Sequence, residues 1–258
     1  MLSRRLKYRF TDRGYAHLRM PSSRLYLPTQ TANEMHQLSL YDCCLMAGLS
    51  SPSKTRHGAG ISHKAIRAVA QAQARQMRLN SYHNQRHIGQ VIIAAGLLAD
   101  EANISQIERD TLIVAALIHD YNHLGRRRHK SDFWQEIASC DAAIPRLIRG
   151  GLDSRLVGLF YEMVAATSLT GPADETRLKG NDILSLLLDA DLFASLFLPK
   201  REVDRLTAQL KDEDRLAISC EALRDGFLKV CGKKGFASLA GQKLHDALGP
   251  HMTYFEAR

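Results

Sequence analysis

A chain of 258 residues, 45% hydrophobic and 24% charged, has ordinary globular composition and is long enough to bury a sizeable core. It has no apolar run near the roughly 20 residues that span a bilayer, and Tyr8 to Arg13 stand where a secretory signal needs an apolar stretch. The net charge of +8 is concentrated up to Arg24, where seven basic residues meet one acid, Asp12, so the remainder is nearly balanced.

Residues 1–60 read as a basic N-terminal extension with one helix, at about 31–48, set between Pro21-Ser22-Ser23 with Pro28 and a second breaker cluster from Gly48 to Gly60. The arm is expected to be a solvated extension; nucleic acid, an anionic membrane surface or a mitochondrial import signal are the other uses open to it. Residues 61–258 form the second expected unit and read as helix after helix, with no alternating strand pattern of useful length. Ile88, Val91, Ile92, Ala95 and Leu98 recur at helical spacing and predict a helix over 83–101. A second is predicted over 105–123 with Gly125 as its stop, and others over 131–149, 153–169, 180–197, 201–218 and 220–231. The fold class is therefore all-α, a helical bundle with a basic N-terminal extension. The five cysteines (Cys43, Cys44, Cys140, Cys220 and Cys231) are odd in number and lack paired metal-ligand spacing, which predicts free thiols and a cytoplasmic protein.

The two middle helices carry most of the chemistry. The first opens Tyr82-His83-Asn84-Gln85-Arg86-His87, with two imidazoles at i and i+4 on one face. The second is apolar on all sides from Leu112 to Ile118 and then presents His119-Asp120, with His123 one turn beyond. An adjacent His and Asp at the end of a buried helix are costly unless paired or metal-bound. A third apolar run, Ile183 to Leu198, contains Asp189 and Asp191. Two residues apart is about 200° of helical rotation, so one carboxylate points inward and the other finds solvent or a helix-end partner. Imidazole with carboxylate suits Zn, Mn, Fe or Ni, and a carboxylate-and-water position suits Mg or Mn.

These residues, in this order, resemble the HD superfamily of metal-dependent phosphohydrolases, and within it the cyclic-nucleotide phosphodiesterase branch. Tyr82-His83-Asn84-Gln85-Arg86-His87 is similar to that branch's Tyr-His-Asn-x-x-His, and His119-Asp120-Tyr121-Asn122-His123-Leu124-Gly125 to its His-Asp-x-x-His-x-Gly. Ala190-Asp191-Leu192 matches its distant Asp and selects Asp191 over Asp189. The resemblance implies that His87, His119, Asp120 and Asp191 hold the first of one or two divalent ions, with Asp120 bridging to a second. It implies His83 as general acid, His123 ordering water at the second ion, and Glu136 and Thr167 nearby.

The implied reaction is hydrolysis of a phosphoester, cyclic nucleotide or nucleotide-like, by a metal-activated hydroxide, with the resident ion Zn, Mn, Mg, Fe or Ni. The chain departs from the pattern at Ser168, where relatives usually have Asp, and at Gln242, whose neighbours differ from those of the family's base-gripping glutamine. It also places Arg126-Arg127-Arg128 just after the second motif, where they are expected to clamp substrate phosphate or to form a solvated loop. Two other readings stay open: an HD-fold diiron oxygenase of a small molecule, and a non-catalytic, metal-stabilised module that binds nucleic acid.

Overall fold

The computed structural model describes residues 38–50, 60–123, 134–168, 183–196, 200–214, 217–219, 221–223 and 236–248. Every regular element among them is helical. In chain order these are α1 (Leu40–Met46), α2 (His63–Gln76), α3 (Gln85–Ala102), α4 (Gln106–Ile118), α5 (Trp134–Arg149), α6 (Val157–Ala165), α7 (Ile183–Leu196), α8 (Lys200–Asp214) and α9 (Leu239–Leu248). Single 3-10 turns, Met77–Leu79 and Ser154–Leu156, follow α2 and precede α6. None of the described helices is long and apolar enough to cross a membrane.

Helix α3 is the axis of the bundle, packed by α7, α4, α1 and α9. It is buried on nearly all sides, from Arg86 to Gly96 without a break. Helix α4 opens on a capping box, in which Ser105 takes the Glu108 N–H and the Glu108 carboxylate takes the Ser105 N–H. Its apolar run Leu112 to Ile118 is wholly buried, as the lack of a polar face predicts. Each of its large aliphatic side chains contributes roughly 1.5–3 kcal/mol by leaving water. Helix α1 lies inside the span expected at 31–48, and Leu40, Tyr41, Cys43 and Cys44 join the same core. Its end, Ala47, rests directly on α3: a Cβ on Gly96 would stand 2.6 Å from the Ala47 carbonyl oxygen.

The structure shortens several expected helices. The first motif helix begins at Gln85, because the Asn84 side chain accepts from the backbone N–H groups of Arg86 and His87 and caps it there. His83 therefore sits in the turn before α3, one residue ahead of its cap Asn84. The second motif helix stops at Ile118 instead of running to His123. Residues 119–122 form turns, with Asn122 at φ +62°, a left-handed conformation that asparagine tolerates and a continuing helix does not. Gly125, expected as the stop, lies outside the described residues. The 153–169 helix is a 3-10 turn followed by α6, and the 201–218 helix ends at Asp214. Of the 220–231 helix, only 221–223 falls among the described residues and is helical. Helices α2 and α9 were not singled out by apolar spacing.

Candidate metal centre

The site forms where the turn before α3 meets the turn after α4. The Asn80 side-chain amide donates to the backbone carbonyls of both His83 and His123, 2.9 Å each, and pins the two turns together. Asn84 braces the first turn through Nδ2, which donates to the Ser81 carbonyl at 2.7 Å. The consequence is a pairing that helical spacing does not produce. His123 leaves the face of His119 and stacks on His83, ring centroids 3.7 Å apart and planes 21° apart.

Two sets of ligand-type side chains result. His87, His119 and Asp191 bring three donor atoms within 4.8 Å of one another, and so do His83, Asp120 and His123. Asp120 stands between the sets. Its Oδ2 is 3.2 Å from His119 Nε2, 3.4 Å from His87 Nε2 and 3.9 Å from His83 Nε2. Asp191 Oδ1 faces the same imidazoles, 3.2 Å from His87 Nε2 and 3.7 Å from His119 Nε2.

His119 provides the test of whether a cation fits. Its Nδ1 hydrogen-bonds the Ala116 carbonyl at 2.8 Å, which makes Nδ1 the protonated nitrogen and turns the Nε2 lone pair to the carboxylates. That Nε2 is fully buried and makes no hydrogen bond. A buried lone pair facing two acids is a destabilised arrangement, and a divalent ion relieves both halves of it. Two imidazoles and two carboxylates are a donor set for a zinc-like transition ion.

The electrostatics follow the same layout. Burial pushes the His87 imidazole down, but the Asp120 and Asp191 carboxylates outweigh it and hold it up at about 9. His119 is buried as well and is raised by the same two acids. Burial would raise Asp120, yet the imidazoles of His119, His83 and His87 take it well below the usual carboxylate range. His123 goes the other way, to about 4, driven by burial and by the charge of His83.

Asp189 and Asp191 divide as the helical rotation requires. Asp189 turns away from the imidazoles and accepts from Ala237 N and Ser238 N, both at 2.8 Å, and from Ser238 Oγ. It is the helix-end partner of α9. Glu136, near the start of α5, bonds Ser168, and burial with the charges of Asp120 and Asp191 raises its carboxyl. Thr167 spends its hydroxyl on the Val164 carbonyl at 2.8 Å, closing α6. Gln242 donates its amide to the Phe236 carbonyl at 3.2 Å. Arg126, Arg127 and Arg128 lie outside the described residues.

One residue at the site was not anticipated. Glu213, on the last turn of α8, hydrogen-bonds His83 Nδ1 at 2.5 Å and accepts from Tyr82 N at 2.6 Å and Ser81 Oγ at 3.1 Å. Burial acts against its charge, but the bond to and charge of His83, with those donors, bring it down to about 2. No sequence signal marked it: α8 is rich in acids, and only the packing of α8 against the turn distinguishes Glu213 from Asp212.

No protein-family model matches the chain, and no curated protein matches it. Solved structures do share its fold. LmjPDEB1, solved in complex with IBMX, superposes with a TM-score of 0.58 at 16% identity, over 88% of this chain and 83% of that one. The phosphodiesterase domain of the RhoPDE fusion protein from the choanoflagellate Salpingoeca rosetta superposes with a TM-score of 0.50 at 19% identity, over 77% of this chain and 75% of that one. The all-helical fold is that of phosphodiesterase domains, in agreement with the resemblance read from the two histidine motifs.

Proposed function

We propose that this chain is a metal-dependent phosphohydrolase acting on a small, nucleotide-like phosphoester. The observation that carries the reading is one imidazole with two differently used edges: Glu213 holds His83 at Nδ1, while Nε2 faces Asp120 beside the His87, His119 and Asp191 set. His87, His119, Asp120 and Asp191 would hold the first ion, and Asp120 would reach a second. Bound there, divalent ions supply an acidified water and positive charge for the phosphoryl oxygens. The protein's own contribution is the proton. Glu213 orients the His83 ring by holding Nδ1, so that Nε2 points to where a leaving oxygen would depart. Glu136 adds a third carboxyl beside Asp120 and Asp191, available to order water.

The direct test is metal-loaded protein against cyclic mononucleotides, nucleoside monophosphates and aryl phosphates. Turnover of at least one class that a chelator abolishes and a divalent ion restores supports the reading. No turnover across the panel with Mg, Mn and Zn counts against it. The second histidine pair favours one other reaction, an oxygenase with two irons. Stoichiometric iron and O₂ uptake in protein purified without added metal would carry that reading instead.

A further inference from the structure

Between Asp42 and Asp100 the chain carries no acidic residue, and four of the cations in that stretch, Lys64, Arg67, Arg75 and Arg78, belong to α2 and the 3-10 turn after it. Lys64, Ala68, Gln71, Arg75 and Arg78 fall at i, i+4, i+7, i+11 and i+14, and all five are exposed. They form one stripe, about 21 Å long, on the side of α2 turned from the core. Helix α5 widens it. Ser62 N–H donates to the Gly150 carbonyl at 2.9 Å, and Ala65 packs on Gly150, which sets the end of α5 beside the start of α2. The exposed Arg146 and Arg149 of that last turn join the stripe. Arg146 lies over the Tyr121 ring, 5.7 Å from its centroid, and both it and Arg75 act against the effect of burial on the Tyr121 hydroxyl. Guanidiniums of the two helices thus act on one residue.

A second, independent observation is how these cations are paired. Elsewhere Arg109, Arg155 and Lys243 each hold a carboxylate, of Asp100, Asp153 and Glu101. Among the described residues, none of the six cations of this face has an ion pair. Arg67 rests over the Tyr41 ring instead, 4.6 Å from its centroid. The two acids of α5 are occupied elsewhere, since Glu136 bonds Ser168 and Asp141 accepts from the Tyr161 hydroxyl. Like charges gathered on one face without counter-charge repel one another, and an external polyanion relieves that repulsion.

We propose that the outer face of α2, with the last turn of α5, docks the phosphate backbone of a nucleic acid. The surface goes beyond the reading of the metal centre and does not depend on it. A row of cations on a rigid helix suits a polymer with one charge at each repeat, whereas a small phosphate would engage only one or two of them. An anionic bilayer fits less well. Helices that lie on membranes bury an apolar face among the lipids, but Ile66, Val69, Ala70 and Met77 of α2 are already buried in the core. Leu79, 95% exposed at the end of the stripe, is a single side chain and gives a bilayer little to hold. Contacts to phosphates release counterions and carry no base information, so the binding is salt-sensitive and tolerant of sequence.

The experiment titrates the full chain into labelled single-stranded and duplex RNA of about 20 nucleotides and reads anisotropy at about 50 and 200 mM salt. The α2 variant combines Lys64→Gln, Arg75→Gln and Arg78→Gln. A control of the same net charge combines Arg155→Gln, Arg205→Gln and Lys243→Gln. The parent is expected to bind, and the α2 variant to lose at least about tenfold in affinity at the lower salt. Its salt slope should fall by about 2–3, because each lost phosphate contact removes about 0.7–0.9. The control should stay within about twofold of the parent. Arg146→Gln with Arg149→Gln, on the other helix, should move affinity and slope the same way, and it carries the test if the first variant melts early. Equal losses in the α2 variant and the control would reduce the effect to net charge and overturn the proposal. A folded α2 variant that binds like the parent would assign the binding to the basic N-terminal arm and overturn it as well. So would a parent that binds phosphatidylserine vesicles and no RNA, or one that binds neither.

Discussion

At the residue scale, His83 and Glu213 act as a pair with separable duties. His83→Ala should keep metal on the His87, His119 and Asp191 set and lose about 10²–10⁴-fold in kcat on substrates with alkoxide leaving groups. On aryl phosphates, whose leaving group needs little protonation, the loss should be much smaller. Glu213→Gln keeps a group that can face Nδ1 but removes the charge behind it, and about 10–100-fold should be lost. The discriminating readout is the dependence on leaving group. If Glu213 positions the acid, its variant loses more on alkoxides than on aryl esters, as His83→Ala does. Equal losses on both would make Glu213 a brace for the 81–83 turn and nothing more.

At the element scale, α7 carries two carboxylates with opposite duties. Asp191→Ala should strip tightly bound metal, while Asp189→Asn should leave metal content near normal. Metal analysis after dialysis decides this, and the reverse pattern would overturn the division. Asp189 is fully buried and takes three hydrogen bonds at the start of α9. Deleting it by Asp189→Ala leaves those donors unsatisfied and should cost about 1.5–3 kcal/mol of stability. Gly241→Ala approaches the same carboxylate from the other side, because a Cβ there would run into Asp189 Oδ2. A loss of about 1–3 kcal/mol is expected from that overpacking. Urea midpoints measure both; a Gly241→Ala protein as stable as the parent would mean that α9 shifts freely on α7.

At the scale of the whole molecule, the imidazoles set a pH window for the metal-free protein. His87 is raised from its ordinary 6.5 to about 9, so its contribution to stability is complete below pH 6.5 and is lost as pH rises through 9. His123 is lowered to about 4, so its contribution is complete above 6.5 and is lost as pH falls through 4. Glu213, lowered to about 2, contributes fully above its ordinary 4.5 and is lost below that, toward pH 2. Asp189, raised by burial from its ordinary 3.8 to about 6, works against His123, since its contribution is lost as pH rises through 6. A divalent ion replaces the proton on His87, and its binding strengthens as pH rises. The gain in Tm on adding metal should accordingly be larger at pH 8.5 than at pH 6, at about 2–4 °C per kcal/mol for a chain of this length. Thermal melts with chelator and with metal at the two pH values check it, and a gain that is larger at pH 6 would contradict the proton-for-metal exchange.

The sequence by itself determined the helical class, the burial of the Leu112 to Ile118 run, and the opposition of Asp189 and Asp191. Those follow from period and rotation, which are local properties of a chain already known to be helical. It also named the imidazoles and acids that converge, because two of them are adjacent and the rest sit in short motifs. Tertiary structure decided how they are grouped. Asn84 starts α3 only after His83, and Asn122 turns the chain after α4, so the i, i+4 pairs dissolve into two sets that cross between motifs. Glu213 enters from α8, 130 residues along the chain from His83, and nothing in its neighbours' spacing records that contact. Caps and turns convert a helical repeat into a site, and which buried surfaces then meet is settled only when the helices pack.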